Sequence, residues 1–363
     1  MRKAAISLAI LCTATRLHAQ TPYERFGLDT TAAIDFFRGD NVNDRPQIVV
    51  DITATAQLGN GWQAYFRPWF RLPRPTTAAA PALPWDAQIY QASLRYERTG
   101  PVSTRVDVGY MPSPVGLGIF DVNPRQNPTI AGHASYFTPL LPFDTGSARP
   151  SAMAATYPLA AVFTASTTHW DARAALVNSA PVRISVAGVT ANPRATPVFE
   201  AGAGVTPIAG LRVGTSFAHG DYLASSEVIG LAPGDRTLTL AGLEAEYAVR
   251  YTKFSGEFIH DTFTAPGGNV GATEWFIEGT QTLTPRWAVA GRHEGTSATA
   301  VGTGVRIFGG QPRMLTNELT AVFRVNRDVM LKASYYTRQP YAAVPTGWDQ
   351  QFAVQAVFQR RWW

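Results

Sequence analysis

Apolar and polar side chains trade places at every step along much of this chain. From Gln47 to Leu58 the residues Ile48, Val50, Ile52, Ala54, Ala56 and Leu58 alternate with Gln47, Asp51, Thr53, Thr55 and Gln57. Gly59-Asn60-Gly61 then turns the chain into Trp62 to Leu72, where Ala64, Phe66 and Phe70 alternate with Gln63, Arg67 and Arg71. A period of two is the signature of a strand with one oily and one wet face. The carboxyl-terminal segment repeats the pattern, with Phe352, Val354, Ala356, Phe358 and Trp362 opposed to Gln351, Gln355, Gln359 and Arg361. Such a two-sided strand with a terminal aromatic is how a membrane-spanning barrel usually closes.

The same reading along the chain predicts sixteen strands, at 28–38, 47–58, 62–72, 87–98, 103–111, 150–157, 169–178, 196–206, 210–218, 236–248, 251–263, 272–283, 286–294, 314–325, 329–338 and 350–362. Segments of about ten residues cross a bilayer when tilted. Short connections such as Gly59-Asn60-Gly61 and Thr284-Pro285 alternate with long ones. That asymmetry is expected of periplasmic turns and external loops. Trp62, Tyr96, Tyr247, Tyr251, Trp287 and Trp362 cluster at the short-turn end, as an aromatic girdle would. The fold class is therefore all-β, a transmembrane antiparallel up-and-down barrel. No stretch beyond the first residues is long and apolar enough for a spanning helix, and lipid accepts only helices or closed barrels.

Composition adds a leader. Arg2 and Lys3 precede the apolar stretch Ala4 to Ala14, and Leu17-His18-Ala19 offers a cleavage site. Residues 1–19 read as a signal peptide and 20–363 as the barrel domain. Cys12, the single cysteine, lies in the leader. The whole chain carries 31 basic and 26 acidic side chains, and without Arg2, Lys3 and Arg16 the balance is 28 to 26, or +2. The mature cations are nearly all arginine, with Lys253 and Lys332 as the lysines. No basic run or face for nucleic acid is visible.

Taking the oily parity as the outer one points Arg67, Arg71, Arg95 and Arg105 inward on the third to fifth strands. Glu244, Glu246, Glu257, Asp261, Glu274 and Glu278 point inward on the tenth to twelfth, with Lys253 among them. Strands four and twelve are half a ring apart. A basic and an acidic wall would then set a transverse field across a polar channel. The longest connection, Pro112 to Arg149, follows the fifth strand, and loops of that length usually carry function. Folded inward, it would place Asp121, Asn123, Arg125, Gln126, Asn127, His133 and Asp144 at a constriction.

Several segments resemble porins of the phosphate-selective O and P type. They are Val106-Asp107-Val108-Gly109-Tyr110 running into Pro112-Ser113-Pro114-Val115-Gly116-Leu117-Gly118, then Leu283-Thr284-Pro285-Arg286-Trp287 with Arg292, and Leu331-Lys332-Ala333-Ser334-Tyr335-Tyr336. The resemblance implies a homotrimer of sixteen-stranded barrels, with the third loop in the lumen and a solute path lined by charge. It does not imply phosphate, because that family's ladder of lysines and arginines is half absent here.

Enzyme signatures are missing. Asp121-x-Asn123 lacks the glycine and glutamate of a calcium loop. His18, His133, His169, His219, His260 and His293 show no metal-ligand spacing, and no Gly-x-Ser-x-Gly elbow occurs. The sequence thus predicts passive diffusion of small hydrophilic solutes or ions through an outer-membrane pore, with no cofactor, no metal and no covalent chemistry. Its expected partners are outer-membrane lipid and the barrel-assembly machinery, which would read the last strand. The competing expectations are a plugged structural or adhesive barrel and a soluble β-sandwich or solenoid. Mass measurement of the exported chain should give a polypeptide starting at Gln20; an intact Met1 in the outer membrane would refute the leader.

Overall fold

The computed structural model describes residues 25–40, 42, 46–72, 85–117, 123–133, 150–153, 159–178, 183–186, 197–221, 237–265, 268–298, 313–339 and 347–362. Five strands open the fold: β1 (Phe26–Gly39), β2 (Gln47–Gly59), β3 (Trp62–Leu72), β4 (Asp86–Arg98) and β5 (Ser103–Tyr110). After β6 (Pro150–Met153) come β7 (Leu159–Ser166), β8 (Trp170–Val177), β9 (Arg183–Val186), β10 (Val198–Ile208) and β11 (Leu211–Asp221). The last seven are β12 (Thr237–Val249), β13 (Thr252–Ala265), β14 (Gly268–Thr282), β15 (Trp287–Ala298), β16 (Arg313–Arg324), β17 (Val329–Arg338) and β18 (Asp349–Arg361).

Sixteen of these form one closed antiparallel barrel in chain order, while β6 and β9 pair only with each other in a separate two-stranded sheet. Closure joins the first strand to the last, with Ala32 opposite Phe358 and Phe36 opposite Val354. Trp362 finishes the seam, its backbone N–H donating to the Leu28 carbonyl at 2.9 Å and its indole N–H to the Thr30 hydroxyl at 3.0 Å. Every barrel strand thereby has two paired edges, which is what lets irregular side-chain chemistry sit in an otherwise saturated backbone.

The oily parity is the outer one. Leu243, Phe258, Ile277, Leu319, Phe352 and Val354 are exposed on the outside, while Glu244, Glu257, Glu278, Glu318 and Gln351 alternate with them and are buried inside. Short turns use the expected backbone. Gly59, Asn60 and Gly61 all have positive φ, and a side chain at Gly61 would press on the Glu97 carbonyl. Aromatic pairs mark this end, with Trp62 and Tyr96 at 5.1 Å and Trp287 and Phe323 at 4.6 Å between ring centroids.

One strand lies elsewhere than the alternation predicts. The sixth was expected at 150–157, yet Pro150–Met153 pairs with β9 and the barrel continues through Leu159–Ser166. Residues 154–158 lie outside the described residues. The inward positions of β7 include Ala160 and Val162, both apolar and buried, so the strand is oily on both faces and shows no period of two.

A second irregularity aims side chains. Register shifts between β3 and β4 so that Arg67 faces Gln91 and Pro68 faces Ile89, which makes Tyr90 the extra residue of a bulge. Pro68 has no N–H to complete a ladder bond. The bulge turns Tyr90 into the barrel, where it is buried with Val49 and Trp69.

Gly109 has φ +136, and a Cβ there would overlap the Ala92 carbonyl oxygen, whereas Gly100 has nothing nearer than the Val102 carbonyl at 3.5 Å. Gly109→Ala should lower the urea midpoint of the folded barrel by the equivalent of about 2 kcal/mol, and Gly100→Ala should leave it within about 0.5 kcal/mol. Equal midpoints for the two variants would refute this account of the backbone.

Candidate functional site

The inner wall is ionic, and its charges are tied to one another across strands. Arg67 on β3 donates from Nε to both carboxylate oxygens of Asp51 on β2, at 2.8 and 3.0 Å, and from Nη2 at 2.5 Å. Its guanidinium lies 4.1 Å from the centre of the inturned Tyr90 ring. Arg95 on β4 donates to Asp107 at 2.7 Å and to the Tyr65 hydroxyl at 3.0 Å. Arg105 on β5 reaches the other Asp107 oxygen at 2.8 Å. Arg71 stacks over Trp69 at 4.9 Å. The arginine wall therefore carries its own counter-ions, Asp51 and Asp107.

The basic positions continue beyond the strands the sequence singled out. Arg173 on β8 and Arg212 on β11 lie flat across β10, and they can do so because β10 presents Gly202 and Gly204 there. A Cβ at Gly202 would stand 2.6 Å from Arg173 Nε, and one at Gly204 2.7 Å from Arg212 Nη2. Arg212 grips Asp171 at 2.7 and 2.8 Å and Glu244 at 2.8 Å. Arg173 donates to both oxygens of Glu244 at 3.0 Å and to Ser216 at 2.7 Å. Both side chains stay partly exposed, at 15% for Arg173 and 20% for Arg212.

The acidic positions are mostly covered. Glu257, Asp261, Glu274 and Glu278 are buried, as is Glu200 on β10. Glu246 is half-buried and paired with Lys253 at 2.6 Å. Glu278 stands 3.7 Å from Arg292, which also reaches Glu294 at 3.6 Å and Glu318 at 3.2 Å.

Part of that cover is the connection after β5. Ser113 donates to Glu200 at 3.0 and 3.1 Å, the Gly116 N–H to Ser216 at 3.0 Å, and the Leu117 N–H to Glu257 at 2.6 Å. Gly116, at φ +72, leaves no room for a side chain, since a Cβ would meet the Glu257 carboxylate at 2.6 Å. The next described piece, 123–133, sits on the other side of the ring. Asn123 donates to Asp51 at 3.1 Å, and Arg125 to the Arg327 carbonyl, in the turn between β16 and β17, at 3.0 Å.

From there three charged side chains hold the backbone. Lys332 on β17 donates to the carbonyls of Pro124, Asn127 and Thr129 at 2.6, 2.5 and 3.1 Å. Glu318 on β16 accepts from the Ile130 and Ala131 N–H groups at 2.8 and 3.2 Å. Arg292 on β15 donates to the Ala131 and Gly132 carbonyls at 2.7 and 3.1 Å. His133 follows, with Nδ1 3.2 Å from Glu294 and its ring 4.4 Å from that of Phe276. Burial pushes the imidazole below its ordinary value of 6.5; nearby Arg292 lowers it further, and Glu294 opposes both.

Asp121 and Asp144 lie outside the described residues, while Asn123, Arg125 and His133 are brought together with β1, β2 and β14–β17. Sequence reasoning missed Asp51 as a partner and missed Arg173, Arg212, Glu200 and Glu318 altogether, while Arg292 and Lys332 entered only through the resemblance, with no place on the inner wall. Parity alone could have flagged each as inward. Their pairings depend on register between strands tens of residues apart. Among the described residues no group of three or more His, Cys, Asp or Glu is placed to hold a metal ion.

No protein-family model and no curated protein matches the chain. Solved structures do match. OmpT of Vibrio cholerae, an outer membrane protein folded in vitro and solved in a trimer form, is 11% identical with a TM-score of 0.57, covering 92% of this chain and 99% of that one. The outer membrane channel DcaP of Acinetobacter baumannii is 10% identical with a TM-score of 0.56, covering 92% and 96%. OmpF of Salmonella typhi, solved in complex with daunomycin, is 9% identical with a TM-score of 0.60, covering 92% and 97%. At these identities the likeness is one of fold: this chain has the closed sixteen-stranded architecture of bacterial outer-membrane proteins.

Proposed function

We propose that the chain is an outer-membrane porin, exported by a cleaved leader, that passes small hydrophilic or charged solutes by diffusion and performs no covalent chemistry. The observation that carries this reading is the opposition of an oily outer face to an ionic inner one around a closed ring of sixteen strands. A ring of that size is wide enough to hold water. Insertion with lipid outside satisfies the outer face, and water with paired ions satisfies the inner one. The likeness to OmpT in its trimer form, and to O- and P-type porins, supports a homotrimer. Neither supports phosphate as the permeant.

Aperture and preference follow from the inner wall. The segment after β5 is tied to two opposite walls, β8–β13 at its start and β1, β2 and β14–β17 further on, so we read it as a fixed constriction. Arg67, Arg95, Arg105, Arg173 and Arg212 make a basic arc from β3 to β11 beside it. Each guanidinium is partly neutralised by a carboxylate within the arc or on the strand that borders it, which makes a weak anion preference rather than a strict filter. A plugged barrel is the second reading, favoured by the burial of Glu200, Asp261 and Glu274 inside the lumen.

Planar-bilayer recordings separate the two: the purified chain should give stepwise open-channel conductance with mild anion preference, and silence would favour the plug. Arg67→Ala takes the guanidinium from Asp51 and leaves it the neutral Asn123 amide, so it should move the reversal potential toward cations. Adding Asp51→Asn should return the potential most of the way. No shift in the single variant would show that this pair does not face the permeation path.

The ties of the constriction give a further pair of outcomes. Lys332→Met removes three carbonyl contacts at once and should raise conductance and current noise. Acidification should act in the same direction. A histidine whose folded value is lowered contributes stability that is whole above 6.5 and is lost as pH falls from there toward the folded value. His133→Phe should abolish that pH response, and an unchanged response would locate the titrating group elsewhere.

A further inference from the structure

The outer face is not uniform around the barrel. At the long-loop ends of β4, β5, β7, β8 and β10 it stays oily, with Ile89, Tyr110, Leu159, Leu176 and Phe199 all exposed. On β11–β13 the same level is polar, with His219, Thr239, His260 and Thr262, and His293 on β15 lies beside an apolar island of Trp275 and Leu315. Register arranges the three histidines in three cross-strand rows of one kind. His219 faces Thr239, which faces Thr262; His260 faces Thr273, which faces Ser297; His293 faces Asn317, which faces Thr337. Each row begins with a histidine on an odd strand, β11, β13 or β15, and continues through two small polar residues.

All three imidazoles are exposed, and each uses Nδ1 within its own sheet. His219 meets the Thr239 hydroxyl at 2.9 Å, His260 the Thr273 hydroxyl at 3.0 Å, and His293 the Thr316 carbonyl at 3.3 Å. That bond leaves Nε2, on the far side of the ring, as the nitrogen free to meet something off the barrel. Trp275 packs edge-on to His293 at 4.9 Å, as an interfacial aromatic does. With strands about 4.8 Å apart and about 3.4 Å per residue, the two-residue offset of His260 from His219 puts them about 12 Å apart and the four-residue offset of His293 from His260 about 17 Å, so each ring meets a headgroup of its own.

Height gives the level. At roughly 2.5 Å per tilted residue, His219 and His260 stand about 20 Å above the short-turn starts of β11 and β13, and His293 about 15 Å above that of β15. The apolar band of such barrels is about 25 Å tall. On β11–β13 it ends early, and polar groups that cannot be satisfied by hydrocarbon begin where headgroups must reach.

Resting on the porin reading above, we propose that the outer face of β11–β17 is a lipid-docking strip that takes phosphate-bearing headgroups from the leaflet on the long-loop side. His219 and His260, whose Nδ1 can accept a threonine hydroxyl proton, would offer Nε2–H to phosphate oxygens; His293, whose Nδ1–H donates to a carbonyl, would accept from a headgroup hydroxyl or ammonium through Nε2, and the hydroxyl and amide rows would bind the rest of the headgroup. A second copy of the chain fits this face less well. Subunit burial would strand every outward imidazole nitrogen without a partner, whereas the oily face of β2–β5 loses nothing on burial.

The test uses the full mature chain in nanodiscs of phosphatidylcholine containing a minor fraction of phosphatidic acid. Wild type and the triple variant His219→Leu/His260→Leu/His293→Leu are extracted into detergent and their retained lipids counted by native mass spectrometry. Wild type should retain phosphatidic acid several-fold over the variant, with unchanged subunit number, heat-modifiable mobility and bilayer conductance. Equal retention overturns the proposal, and so does a changed subunit number, which would make this face a protomer contact. Conductance is read on the same samples, so a silent but lipid-retaining chain would sink the channel reading and leave the strip standing.

Discussion

Closure of the backbone ladder is the constraint from which the rest follows. A sheet in hydrocarbon cannot leave a row of N–H and C=O groups bare, so β1 must meet β18 and every strand between must be paired on both edges. Once the ring is closed, each residue has one of two environments, and adjacent residues have opposite ones. The alternation along the chain is that geometry written in side chains. It also explains where the exceptions fall: at the Pro68 bulge, at Gly109, and at short turns that need positive φ.

Inside the ring the governing cost is different. A charge withdrawn from bulk water must find a partner or lose several kcal/mol. The lumen answers with pairs that run between strands, Arg67 with Asp51, Arg95 with Asp107, and Arg212 between Asp171 and Glu244. Glycine is as much a part of this as charge, because Gly202 and Gly204 clear the floor on which Arg173 and Arg212 lie. The segment after β5 is held by the same currency applied to backbone. Lys332, Glu318 and Arg292 satisfy carbonyl and N–H groups of 124–132 that would otherwise be buried and unmet.

The outer surface obeys a third rule, set by what lies beside it at each height. Oily residues reach the long-loop ends on one half, while histidine and threonine replace them on β11–β13. One barrel thus carries two kinds of outside, and the difference is visible only when strands are laid side by side in register.

Local order along the chain was enough to determine the barrel. Alternation gave fifteen of the barrel strands close to their final bounds, named the inward parity of Arg67, Arg95, Glu244 and Glu257, and singled out the long connection after β5. The exception, Leu159–Ser166, is oily on both faces and carries no such signal. What only the tertiary structure decided is who meets whom. Asp51 neutralising Arg67, Lys332 holding carbonyls some two hundred residues away, and His260 lining up with Thr273 are facts of register and closure. A period of two tells a side chain which face it takes. It is silent on its neighbours across the sheet, because those are fixed by hydrogen bonds between strands.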